Sequence, residues 1–133
     1  MKALVIALLL IAQSASAQPF MTGEEFDELS LGTTMYFTEG GAFFGSEQFL
    51  PNQRTVWRAE DGTCVNGKWA EADGNICFMY DNGDGPHCWN LRQSGEELTI
   101  TSTTQTPELP PLVLQLSGQD TVPIICTGPA FGV

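Results

Sequence analysis

The segment from Ile76 to Trp89, ICFMYDNGDGPHCW, gathers several residue types that can do chemistry. It contains two of the four cysteines, the only histidine of the chain, two acids and a glycine-rich turn. Cysteine and histidine together can bind zinc or form a nucleophile and a base, whereas acids in a glycine-rich loop can bind calcium. Residue spacing and the redox state of the thiols decide which of these chemistries is possible.

The spacing argues against a metal site. Cys77, His87 and Cys88 do not follow the C-x2-C or H-x3-H patterns of structural zinc sites, and oxidised sulfurs cannot act as thiolate ligands. Residues 81–86 lack oxygen ligands at the alternate positions that an EF-hand loop requires. We therefore predict neither a metal nor a cofactor.

Catalytic chemistry is also poorly supported. A Ser-His-Asp or Cys-His arrangement would have to use His87, and no G-x-S-x-G motif is present. Glycoside hydrolysis needs only two carboxylates, but an abundance of acids is equally typical of a charged surface. The acids that offer such pairs are Glu24, Glu25, Glu47, Glu60, Asp61 and Glu71. We predict a protein that is not an enzyme and has no catalytic residue.

The same segment is better explained as a hairpin. Asn82-Gly83 between alternating apolar runs predicts a two-residue loop, which places Cys77 opposite Cys88. A slip of two residues would make the cysteines diagonal neighbours, and a slip of one would mix apolar and polar faces. Pro86 cannot donate a ladder hydrogen bond, so we expect a bulge or a longer turn there. The shared apolar face would comprise Ile76, Phe78, Tyr80, Trp89 and Leu91.

The N-terminus predicts export. Lys2, the apolar run 3–12 and an A-x-A site ending at Ala17 have the three parts of a secretory signal, which would occupy residues 1–17. The apolar run has about ten residues where a spanning helix needs about twenty, so we expect no stable membrane insertion after the signal is removed. The remaining 116 of the 133 residues, 18–133, predict a single β domain in the periplasm or outside the cell.

An even number of cysteines in a small exported domain predicts a disulfide framework. We expect Cys77 to pair with Cys88, which leaves Cys64 to pair with Cys126. The sequence leaves the other two connectivities open.

The charge balance limits the possible partners. Without the signal, four basic residues face sixteen acids, a formal charge of −12. Such a field disfavours nucleic acid and anionic membrane surfaces, and it would attract a cationic protein.

The elements that must position these residues are mostly strands. Thr22 and Glu25 fit a capping box for a short helix over residues 23–30, with Phe26 and Leu29 on one face and Gly32 as the stop. Short β-rich runs with frequent turns then predict an antiparallel meander that closes into a small barrel or forms a sandwich. The predicted strands are 34–38, 42–50, 54–59, 63–70, 75–81, 86–93, 97–103, 111–117 and 122–127.

Several short motifs carry a family resemblance. They are GSEQFL at 45–50, TVWR at 55–58, DGTC at 61–64, GKW at 67–69, ICFMY at 76–80 and CW at 88–89. Across roughly residues 22–102 the chain resembles a group of small exported alphaproteobacterial proteins of unknown function. The resemblance implies a periplasmic setting and a lipocalin-like barrel, and it carries over no catalytic or ligand-binding residue. The tail from residue 107 to 133 lies outside it.

Two functional hypotheses, with a weaker third, follow. A small barrel can hold a compact apolar ligand, and the predicted lining residues are Trp57, Trp69, Phe78, Tyr80 and Trp89. Alternatively, an acidic module could bind a cationic envelope protein and inhibit an extracytoplasmic hydrolase such as lysozyme. The candidate contacts are Glu60, Asp61, Asp81 and Asp84. The third hypothesis is an envelope assembly factor that docks through the proline-rich stretch 107–111.

Overall fold

The structure is a computed structural model that describes residues 19–104, 106 and 108–127. The predicted signal, 1–17, lies outside the described residues. One helix, α1, precedes eight strands. Their bounds are α1 Gly23–Ser30, β1 Thr34–Glu39, β2 Ala42–Leu50, β3 Arg54–Ala59, β4 Cys64–Ala72, β5 Asn75–Tyr80, β6 His87–Ser94, β7 Glu97–Ser102 and β8 Val113–Asp120.

The helix forms where the sequence predicts it. The Thr22 hydroxyl accepts a hydrogen bond from the Glu25 amide at 3.2 Å, which satisfies one of the free amides of the first turn. The Glu25 carboxylate accepts from the Thr22 hydroxyl at 3.1 Å, rather than from the second free amide that a capping box would satisfy. Gly32, at φ +76°, turns the chain into β1.

The eight strands form a closed antiparallel barrel in chain order. Each strand pairs with the next, and β8 returns to pair with β1. Closure leaves no unpaired sheet edge, which is the usual liability of small β proteins. The predicted mainly β fold is confirmed, and it takes the barrel form rather than the sandwich form.

The prediction of a ninth strand over residues 122–127 is wrong. Because the barrel is closed there is no edge for it to join, and Pro123 lacks an amide hydrogen. The segment instead crosses the outside of β1, β2 and β3. Val122 O accepts from the Thr34 hydroxyl at 2.7 Å, and Ile125 O accepts from Arg58 Nε at 3.0 Å. The Cys64–Cys126 disulfide fastens its end to the start of β4.

The hairpin between β5 and β6 has the predicted register but a different turn. Cys77 lies opposite Cys88 and forms a disulfide with it, so both predicted pairings are present. The prediction of a two-residue loop at Asn82-Gly83 is wrong. Gly83 N donates to Tyr80 O at 3.0 Å, which centres the turn on residues 81–82. Residues 81–86 separate the strands, so the longer turn expected at Pro86 is confirmed.

Helix α1 closes one end of the barrel. The Phe26 ring packs edge-on against Phe49, Trp69 and Phe78, with centroid distances of 5.3, 4.9 and 6.3 Å. The Gly23 amide donates to the Glu71 carboxylate, and the Gln119 side-chain amide donates to Leu29 O at 2.8 Å. We call this the helix end and the opposite one the open end.

Within the described residues, no helix is long and apolar enough to span a membrane.

Candidate functional site

A cavity of about 330 Å³ occupies the barrel interior towards the open end. Its existence follows from the sizes of the inward-facing side chains, which alternate along each strand. On β4 the inward positions run from Trp69 at the helix end to Gly67 and Val65 at the open end. On this strand a large side chain therefore fills the helix end, and smaller ones leave space towards the open end.

Most of the cavity lining is apolar. Its polar members are Glu47, Tyr80, Asp84, His87 and Ser102. The apolar members are Phe26, Met35, Phe37, Phe44, Phe49, Trp57, Val65, Phe78, Trp89, Leu91, Ile100, Leu112 and Leu114.

Two glycines let aromatic rings lie flat against the barrel wall. A Cβ on Gly67 would lie 2.6 Å from Cδ1 of Tyr80 and 2.8 Å from the Met79 carbonyl oxygen. A Cβ on Gly45 would clash with the Trp57 ring in the same way. Because these positions carry no side chain, the Tyr80 and Trp57 rings cover them and keep the lumen open.

A bulge turns a further aromatic ring inward. Phe37 of β1 lies opposite Gly45, but the next residue, Thr38, lies opposite Phe43, so Phe44 is the extra residue on β2. The bulge reverses the alternation at this point. As a result Phe44 lines the cavity and packs against Trp57 at a ring distance of 5.8 Å, while Phe43 is exposed.

Glu47 of β2 is the polar centre of the cavity. It is 4% exposed, and it is the only buried carboxyl group among the described residues. The Tyr80 hydroxyl, which comes from β5, donates to its two oxygens at 3.1 and 3.3 Å. Thr55 Oγ1 is buried in the same region, with no hydrogen-bond partner in the described structure.

Burial controls the ionisation of this pair. It raises the pKa of Glu47 to about 7, against the smaller lowering effects of the nearby Thr55 and Tyr80 hydroxyls. Burial, together with the charge of Glu47 and the hydrogen bond to it, raises the pKa of Tyr80 well above its ordinary value. Tyr80 is therefore a hydrogen-bond donor at neutral pH, while Glu47 lies near its titration midpoint.

The rim of the cavity carries an exposed pair. Asp84 Oδ1 lies 3.0 Å from His87 Nε2; the Asp84 side chain is exposed and that of His87 is partly exposed. His87 is the first residue of β6, beside the turn, as predicted. Its ring lies 6.2 Å from that of Tyr80, so the rim is continuous with the aromatic wall.

The structure places four of the five predicted lining residues at the cavity. Trp57, Phe78, Tyr80 and Trp89 line it. Trp69 does not, because it lies beneath the cavity against Phe26 at the helix end. Its inward orientation follows the strand alternation, but its distance from the cavity follows from the position of α1.

The four acids proposed to contact a partner lie in two turns at the open end. Glu60 and Asp61 belong to the β3–β4 turn, and Asp81 and Asp84 to the β5–β6 turn. All four are exposed. Asp61 also shapes its own turn, since its carboxylate accepts from the Thr63 amide and hydroxyl, and these bonds lower its pKa.

The proline-rich stretch 107–111 belongs to the long connection between β7 and β8. Residue 107 lies outside the described residues. Leu109 N donates to Thr106 O at 3.1 Å, and Leu112 O accepts from Ser102 N at 2.8 Å. Leu112 lines the cavity, so this connection contributes to its wall.

No group of three or more histidine, cysteine, aspartate or glutamate side chains in the described ranges is arranged to bind a metal ion. The chemistry available in the cavity is hydrogen bonding and charge pairing at Glu47, surrounded by aromatic surface.

Sequence reasoning missed the role of Glu47. Glu47 appeared only among the many acids, although it shares the inward face of β2 with Phe49, and an acid at such a position is the signal for a buried polar site. The inward orientation of Phe44 had no such local signal, because it depends on the bulge.

Comparison with protein-family models, with curated proteins and with solved structures finds no match to this chain.

Proposed function

We propose that this protein binds a small, largely apolar ligand inside its barrel and acts in the periplasm or outside the cell. The observation that carries the proposal is the cavity of about 330 Å³ with its mainly apolar lining. Ligand sites in proteins are typically concave and mostly apolar, with a few placed polar groups, and begin at about this volume.

Two features support binding at this place, and a third supports the extracytoplasmic setting. The half-buried rings of Trp57 and Trp89 offer apolar surface that a ligand could cover. The helix end is packed, so a ligand would enter from the open end. The two disulfides are typical of proteins that fold outside a reducing cytoplasm.

A fluorescent probe tests the proposal. We expect uncharged N-phenyl-1-naphthylamine to bind the mature protein with increased emission. Val65→Trp should abolish binding, because Val65 lines the cavity and the larger side chain fills it. Val113→Trp is the matched control, since Val113 is exposed on β8 and its replacement should leave binding unchanged.

The outcomes are decisive if both variants fold, which thermal unfolding establishes. Absence of probe binding by the unmodified protein, or equal binding by the Val65→Trp protein, contradicts the proposal. Native mass spectrometry of the protein isolated from its own envelope fraction then identifies the ligand by its mass.

A second candidate function is inhibition of a cationic extracytoplasmic hydrolase such as lysozyme. It is favoured by the clustering of Glu60, Asp61, Asp81 and Asp84 in two turns at one end of the barrel. Opposite charge accelerates association and aligns partners. Inhibition that survives moderate salt would support this function, whereas inhibition unaffected by Asp81→Asn together with Asp84→Asn would exclude the β5–β6 turn.

A further inference from the structure

The hydrogen-bonding capacity of Glu47 is larger than the protein uses. An ionised carboxylate offers about four acceptor sites. Among the described residues, only the Tyr80 hydroxyl donates to it within hydrogen-bond geometry, and the nearby Thr55 hydroxyl can supply at most one more hydrogen bond. The carboxylate also lines the cavity, so its unused acceptor sites are available to a bound molecule.

The charge of Glu47 is equally uncompensated. None of the four lysine and arginine residues in the described part of the chain lines the cavity. The ion pair found in the described structure joins His87 to Asp84 at the rim. A buried carboxylate without a positive partner is costly, and a ligand that supplies the positive charge relieves that cost.

The surroundings suit a cation that has an apolar body. The Trp57 and Tyr80 rings line the same cavity as the carboxylate, and aromatic faces attract cations as well as apolar groups. Asp84 adds a second acid at the rim, so both the entrance and the interior of the cavity favour a positively charged group.

We propose that the ligand is an amphipathic organic amine, whose protonated nitrogen pairs with the Glu47 carboxylate while its apolar body occupies the aromatic cavity. This inference rests on the binding function proposed above and adds the chemical class of the ligand.

Three compounds with one phenyl ring and a short spacer test the class: phenethylamine, phenethyl alcohol and phenylacetate. Isothermal titration calorimetry at pH 8 should show phenethylamine binding at least about tenfold more tightly than either of the others. Glu47→Gln should remove this preference while keeping the uncharged naphthylamine probe bound. Glu60→Gln, which removes one exposed acid from the β3–β4 turn, should keep the preference.

The pH dependence gives an independent readout. Phenethylamine carries its charge at both pH 6 and pH 8, whereas Glu47, with its pKa of about 7, is mostly neutral at pH 6. Binding should therefore weaken by about tenfold from pH 8 to pH 6. The titratable groups that face Glu47 are Tyr80 from β5 and, at the rim, Asp84 and His87. Since Glu47→Gln retains all three, a flat profile in that variant assigns the effect to Glu47.

The possible failures are distinguishable. Tight binding of the naphthylamine probe with no preference for phenethylamine, or with a preference for phenylacetate, overturns the amine inference and leaves the binding function intact. A preference that persists in the Glu47→Gln protein also overturns it. If neither the probe nor the three compounds bind, both proposals fail.

Discussion

The two ends of the barrel are built from the same eight strands but differ in how tightly their interiors are packed. At the helix end, Phe26 is 2% exposed and contacts three aromatic rings. At the open end, Phe44 packs against Trp57 but remains half-buried, and space is left beside it. A β-barrel interior can thus be a packed core over half its length and a cavity over the other half.

The difference lies in what closes each end. Helix α1 brings a side chain into the lumen and removes the helix end from solvent. At the open end, turns and the β7–β8 connection form only a rim, with exposed Asp84 and partly exposed His87. Stability should therefore depend on the helix end, and ligand binding should depend on the open end. Four predictions test this division.

The largest expected effect is at the helix end. Phe26→Ala should lower the free energy of unfolding by about 3–5 kcal/mol, because it removes a buried ring and leaves a void among aromatic neighbours. The matched change Phe44→Ala should cost no more than about 1–2 kcal/mol, since that ring is already partly solvated. Urea unfolding with the disulfides intact measures both. Equal losses would contradict the division.

The second effect is the pH dependence of stability at Glu47. Its pKa is raised from 4.5 to about 7 in the folded protein, so the folded state binds a proton that the unfolded state has released. This contribution, about 3 kcal/mol, is fully present below pH 4.5 and is lost as pH rises through 7. Unfolding measured from pH 4 to pH 8 should show a steeper decline with pH in the native protein than in the Glu47→Gln variant. Parallel profiles would exclude the effect.

The third effect tests how the cavity wall is built. Gly67→Ala should destabilise the protein by about 1–3 kcal/mol, because the new methyl group meets the Tyr80 ring and the Met79 carbonyl oxygen. Displacing the ring should also weaken the hydrogen bond to Glu47. Gly74→Ala is the comparison without a clash, since a Cβ there meets nothing within 4 Å. Its φ of +75° does add backbone strain. Near-ultraviolet circular dichroism should change only for Gly67→Ala.

The smallest effect is at the rim. His87→Ala should change the free energy of unfolding by less than about 1 kcal/mol, because exposed ion pairs contribute little in water. Thermal unfolding at neutral pH measures this change. A loss comparable to that of Phe26→Ala would mean that the rim, too, has a structural role.

Local signals in the sequence predicted much of the fold. Thr22 and Glu25 marked the helix, and alternating apolar residues with glycine-containing turns marked eight strands. Cys77 and Cys88 were paired correctly because the apolar face of their hairpin permits few registers. The same reasoning failed for 122–127, which looks like a strand locally but has no free edge to join.

The site was only partly predictable. Trp57, Phe78, Tyr80 and Trp89 could be named because large aromatic residues at inward strand positions must face the lumen. Whether they enclose a space could not be inferred, since the volume depends on all eight strands and on the depth to which Phe26 enters. Trp69 shows this dependence, because it faces inward and yet lies beneath the cavity.

The sequence by itself determined the helix, the positions of the eight strands and the pairing of Cys77 with Cys88, because these depend on neighbours along the chain and across one hairpin. Only the tertiary structure decided that the barrel is closed, that one half is empty and that Glu47 meets Tyr80. The physical reason is that this contact joins β2 to β5 through the lumen, between residues 33 positions apart. No local pattern encodes such a meeting, which arises only when the sheet curls and its inward side chains share one space.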